Sequence, residues 1–106
     1  MSDIKKFGLS LKTIQALKSV FSKHTEIEKV LIYGSRVKGN FRVGSDIDLT
    51  LIAPSLNLSD LLKIENEIED LMLPYKVDLS LFHLIENSDV VEHIKRVGVE
   101  FLMLGC

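Results

Sequence analysis

The stretch that decides the fold is Gly34-Ser35-Arg36-Val37-Lys38-Gly39-Asn40-Phe41-Arg42-Val43-Gly44-Ser45-Asp46-Ile47-Asp48-Leu49. It is flanked by two runs with strand character. Upstream, Lys29 to Tyr33 is a short apolar, β-branched run stopped by Gly34, which reads as a buried strand. Downstream, Ile47 to Ala53 alternates Ile47, Leu49 and Leu51 with Asp48 and Thr50, and Pro54 closes it. One face of that second strand is apolar and the other carries carboxylates. Between them the glycines Gly34, Gly39 and Gly44 mark a turn region that also holds Arg36, Lys38 and Arg42.

Side chains two residues apart on a strand share a face, so Asp46 and Asp48 converge on one side of the sheet. Asp78 lies on a further alternating run, Tyr75 to Leu81, with Val77, Leu79 and Leu81 on one face and Asp78, Ser80 and Phe82 on the other. If these strands pair in register, Asp78 joins the same patch. Three clustered carboxylates raise one another's pKa unless a cation neutralises them, and hard divalent ions with oxygen ligands, Mg²⁺ above all, suit such a set. Spacing alone also allows Asp46 to end a turn, Asp48 to face solvent and Asp78 to be unrelated. Gly34 directly after a strand lets backbone N–H groups approach an anion, and a short helix opening at Ser35 would aim its positive end at phosphate oxygens. Gly34 and Gly39 have the spacing of a P-loop, but Asn40 and Phe41 occupy the places of its Lys and Ser/Thr, which counts against that class.

Working outward, Leu11, Ile14, Leu17, Val20 and Phe21 recur at helical spacing behind a candidate N-cap, Ser10, and this helix is expected to end near His24. Ser59 can cap a helix whose stripe is Leu61, Ile64, Ile68, Leu71 and Met72, ended by Leu73-Pro74. Asn87 to Asp89 offer caps to a last helix with Val90, Val91, Ile94 and Val97 on one face and Gly98 as its stop; Val99 to Leu104 then reads as a small edge strand. The alternation of helices and strands argues for a layered sheet with helices packed on it. Met72 and Met103 are read as core packing, and His24, His83 and His93, which lack metal-ligand spacing, as surface or strand-edge residues.

With 106 residues, 46% hydrophobic and 26% charged, the expectation is one globular domain spanning residues 1–106. No run has the length of a membrane span, and the start lacks the apolar stretch of a secretory signal, so a soluble cytoplasmic protein is expected. The single cysteine, Cys106, excludes a disulfide framework. Residues 1–53 hold nine Lys/Arg against five Asp/Glu, whereas residues 54–106 hold four against ten. With a net charge of −2, no Trp and seven aromatic residues in all, a broad basic face for duplex DNA is not expected, and a nucleotide fits better than a polymer.

Taken whole, Gly34-Ser35, ten intervening residues, then Asp46-x-Asp48 resembles the pattern of the DNA polymerase beta-like nucleotidyltransferase superfamily. The chain looks like its minimal nucleotidyltransferase (MNT) family, small prokaryotic proteins paired with HEPN-domain proteins as toxin–antitoxin modules. The resemblance extends through Val77-Asp78-Leu79 and the closing helix and strand. It implies an α+β fold, a small mixed β-sheet with helices packed on it. It further implies a magnesium-dependent enzyme, with two ions held by Asp46, Asp48 and Asp78, that transfers AMP from ATP or another nucleoside triphosphate. In that reading Asp78 also helps take the acceptor's proton. Gly34 and Ser35 cradle the triphosphate, with Arg36, Lys38 and, more weakly, Arg42 neutralising leaving-group charge. The acceptor implied is a hydroxyl, on a tyrosine, of a HEPN toxin. The rival reading is a non-catalytic module that neutralises its partner by contact; a third is modification of a small antibiotic or an RNA end.

Overall fold

The computed structural model describes residues 7–39, 42 and 44–103. Helix α1 (Leu11–Phe21) begins at Ser10, whose hydroxyl accepts a hydrogen bond from the Thr13 amide at 3.2 Å. Strand β1 (Lys29–Tyr33) runs into a single-turn helix, α2 (Ser35–Lys38), and β2 (Ile47–Ile52) follows. Then come α3 (Leu58–Glu69), β3 (Val77–Leu81), a 3-10 turn (Phe82–Leu84), α4 (Ser88–Val97) and β4 (Val99–Met103). The sheet order is β3-β2-β1-β4. β1 is antiparallel to both β2 and β4, and β2 is parallel to β3, so the sheet is mixed, as expected. The parallel pair requires a crossover, which α3 supplies.

Strand parity separates two faces. Val30 and Ile32, Ile47, Leu49 and Leu51, and Leu79 and Leu81 form a buried face that packs with Leu17, Val20 and Phe21 of α1 and Ile64 and Ile68 of α3. The opposite face carries Tyr33, Asp48, Thr50, Asp78 and Ser80, and α4 lies beside it with Ile94 buried outside the main cluster. No helix among the described residues is long and apolar enough to cross a membrane.

Several boundaries differ from the sequence expectation. Asn57, not Ser59, caps α3: its side chain accepts from the Asp60 amide while Asp60 accepts from the Asn57 amide, both at 3.0 Å. That reciprocal arrangement satisfies two end donors at once, which a serine inside the first turn cannot do. α1 stops at Phe21 and β2 at Ile52, short of His24 and Ala53. β3 starts at Val77, and Phe82 belongs to the 3-10 turn rather than to the strand. Met72 is not core: α3 ends at Glu69, and Met72 follows it with a positive φ of 56° and 87% exposure. Cys106, the expected strand end at Leu104 and the side chain of Met103 lie outside the described residues.

Candidate active site

Antiparallel register places Tyr33 opposite Asp48, and parallel register places Asp48 opposite Asp78. A row of Tyr33, Asp48 and Asp78 therefore crosses three strands on one face, because residues opposed in a ladder project to the same side. Asp46 sits two residues before Asp48, exposed at the entrance to β2. Around this row is an open cleft of 540 Å³ lined by Tyr33, Gly34, Asp48, Asp78 and, from α4, Asp89, Val90 and His93.

Gly34 closes one wall. Its backbone has φ 84° and ψ −153°, a region essentially reserved for glycine, and a Cβ built there would collide with the carboxylate Oδ2 of Asp48. This turn allows α2 to start beside the carboxylates. The first helical hydrogen bonds run from the Val37 and Lys38 amides to the Gly34 carbonyl, both at 3.2 Å, and Gly34 itself lines the cleft. Ser35, half-buried, is the first residue of that turn.

The carboxylates are felt electrostatically. Partial burial lifts the Asp48 carboxyl above its ordinary value, and the negative charges of Asp78 and Asp46 push it further; Arg36 and His93 oppose the rise. Burial also raises the Tyr33 phenol, with Asp78 and Asp48 adding to it and a hydrogen bond with Ser80 opposing. Behind the cleft, Ser80 donates to the Thr50 hydroxyl at 2.9 Å, which ties the polar faces of β2 and β3 together. Among the described residues no group of three or more His, Cys, Asp or Glu side chains stands close enough together to hold a metal ion by itself. An open set of mutually repelling carboxylates nevertheless fits Mg²⁺, which keeps several waters and is held by one or two carboxylates together with substrate phosphates.

Arg36 departs from its expected role as a phosphate contact. It is 3% exposed, and its guanidinium donates to the Phe7 carbonyl at 2.9 Å and the Ser45 carbonyl at 2.8 Å while lying 4.9 Å from the centre of the Tyr75 ring. The fork is committed to the backbone. It ties the segment before α1 to the residues that precede Asp46 and those that precede β3, and its charge is felt at Asp48. Arg36→Lys keeps the charge but not the planar fork, leaving a buried carbonyl without its donor. The expected loss is about 2 kcal/mol of stability, read as a lower urea midpoint at unchanged slope.

Lys38 is exposed at the end of α2 and does not line the cleft; Arg42 is also exposed. His24 pairs with Glu67 at 3.0 Å and His83 with the Leu56 carbonyl at 3.0 Å, both away from the cleft. His93 belongs to the site instead, edge-on to Tyr33 with ring centroids 6.2 Å apart. Its signal in the sequence was its place on the Val90, Ile94 and Val97 face of α4. Tyr33 and Asp89 were also missed as site residues: Tyr33 has the parity opposite to Val30 and Ile32, whereas Asp89 reads only as a helix cap.

The family model described as polymerase beta, nucleotidyltransferase matches residues 15–103. No curated protein gives a significant sequence match. Among solved structures, a toxin–antitoxin crystallised with AMP-PNP is similar at a TM-score of 0.69 and 14% identity, over 85% of this chain and 73% of that one. The MntA–HepT toxin–antitoxin is similar at 0.64 and 12%, over 87% and 71%. A protein of Sulfolobus solfataricus described as a nucleotidyltransferase is similar at 0.57 and 22%, over 88% and 79%. At these identities the likeness is one of fold.

Proposed function

Because this chain belongs to the polymerase beta nucleotidyltransferase family, we propose that it transfers AMP from ATP to a hydroxyl of a HEPN-domain partner in the cytoplasm, as the antitoxin of that pair. The observation that carries the reading is the register of Asp48 with Asp78, closed on one side by a glycine turn that only glycine can make. The names of the structural neighbours, a toxin–antitoxin with AMP-PNP and MntA–HepT, support an adenine nucleotide as donor and a toxin as acceptor.

Asp46, Asp48 and Asp78 are the residues that would hold magnesium, as two ions. When bound, the metal neutralises the carboxylates and polarises the phosphate oxygens. The chain's own groups do the rest. The amides at the start of α2, from Ser35, receive phosphate oxygens, and the absence of a side chain at Gly34 lets the triphosphate approach Asp48. Lys38, exposed on the same helix, offers charge to the leaving group. Asp78, exposed at the sheet edge, accepts the proton of the attacking hydroxyl. The acceptor oxygen bonds to the α-phosphorus, the bond from that phosphorus to the bridging oxygen breaks, and pyrophosphate departs.

The test combines the chain, Mg²⁺, ATP labelled at the α-phosphate and the HEPN-domain partner. Label is expected on the partner, with a mass gain of whole adenylyl groups by intact mass. Tight binding without any label would sink the catalytic reading in favour of neutralisation by contact.

A further inference from the structure

A second concavity lies away from the cleft, on the other side of the β3 edge. It is a groove of 560 Å³ between α3 and β3, lined by apolar side chains including Leu62, Ile68, Met72, Val77 and Leu79, with Glu65 and Glu69 on the helix side and Lys76 at the strand. Two large apolar side chains of its lining stand in solvent: Leu62 at 60% exposure and Met72 at 87%. Scattered exposed leucines need no explanation, but these accompany a groove.

Among the described residues β3 is an edge strand, paired on one side only. The Ile47 amide donates to the Lys76 carbonyl at 2.9 Å, and in a parallel ladder alternate residues turn their amide and carbonyl groups to the neighbour. The groups of Val77 and Leu79 therefore point outward. Proteins blunt such edges with lysine, proline or bulges. Within β3, Val77-Asp78-Leu79-Ser80-Leu81, the one charged residue is Asp78, which belongs to the cleft.

Resting on the nucleotidyl-transfer reading, we propose that this edge and groove dock an extended segment of the acceptor protein as a fifth strand, which delivers the acceptor hydroxyl to Asp78. Side chains of an added strand alternate, so those facing Val77 and Leu79 enter the groove while the residue opposite Asp78 lands on the cleft face. Charge sets the composition. Glu65 and Glu69 beside the groove and Asp78 and Asp48 on the other face repel an acidic segment. The occupant accordingly carries apolar residues on one parity, a hydroxyl on the other and Lys or Arg toward α3.

The test is hydrogen exchange on the chain alone and in complex with the HEPN-domain partner, together with affinities of Leu62→Asp and Met72→Asp, both exposed and remote from the carboxylates. On complex formation the amides of Val77 and Leu79 are expected to exchange at least about 10-fold more slowly, and each variant to weaken binding by about 10-fold or more. Weakened binding without protection indicates a helix in the groove and overturns the added strand. Protection already present in the chain alone at high concentration indicates a second copy and overturns it as well. If label reaches the partner while amides and affinities are unmoved, the docking inference fails and the transfer reading stands; protection without label gives the reverse. No complex at all overturns both.

Discussion

Replacing Asp46 and Asp48 together by Asn is expected to reduce adenylyl transfer by about 1,000-fold or more, while the variant melts no lower than the parent. The first effect follows from losing two of the carboxylates proposed to hold magnesium. The second follows from Asp48 itself. Its carboxyl is raised in the folded protein by burial first, then by Asp78 and Asp46. A group whose folded pKa lies above its unfolded value contributes stability that is full below the unfolded value and lost as pH climbs through the folded one. At neutral pH the metal-free chain therefore carries a charge that disfavours folding, and Asn removes it. In chelator the double variant's melting temperature is expected to gain on the parent's as pH rises through about the carboxyl range, because the parent alone loses the Asp48 contribution there. Mg²⁺ should raise the parent's melting temperature and leave the variant's unchanged. A variant that melts well below the parent in chelator at pH 7 would show that the carboxylates hold the fold together and that lost transfer says little about chemistry.

Gly34→Ala is expected to be nearly as damaging for a different reason. The backbone at φ 84°, ψ −153° costs a residue with a Cβ roughly 1–3 kcal/mol. The added methyl also meets the Asp48 carboxylate, whose Cγ lies 3.3 Å from the ideal Cβ position. Either Asp48 rotates out of register with Asp78 or the turn leading into α2 shifts, and both displace groups proposed to meet the triphosphate. Transfer should fall by about 100-fold, accompanied by a measurable loss in urea stability. Gly39→Ala is the control: a Cβ there meets nothing within 4 Å, although φ 83° leaves it strained. It should lose stability and keep most of the transfer rate, and equal losses of transfer at the two glycines would refute the argument from Asp48.

Edges of elements were the least legible part of the sequence. The stripe of α3 ran on to Met72 by spacing alone, yet the helix stops at Glu69 and turns Met72 into solvent. Periodicity does not register where a chain must turn toward the next strand. Arg36 illustrates a second limit. A cation in a glycine-rich loop after a strand looks like a phosphate ligand, and which way its side chain points depends on Phe7, Ser45 and Tyr75. Those partners lie 29, 9 and 39 positions away, as their numbers show, and no local pattern couples them.

By itself the sequence determined the strands, the side of each that carries carboxylates, and the glycine turn that precedes them, because side-chain alternation and the left-handed turn are local properties of the chain. It also carried the motif of Gly34, Ser35, Asp46 and Asp48. Only the tertiary structure decided that Asp78 stands beside Asp48, that Arg36 is committed to the Phe7 and Ser45 carbonyls, and that Tyr33, Asp89 and His93 wall the cleft. These relations are set by strand register and by α4 lying across the polar face. They arise from burying the apolar faces of separate elements against one another, an interaction between residues far apart in the chain that spacing does not encode.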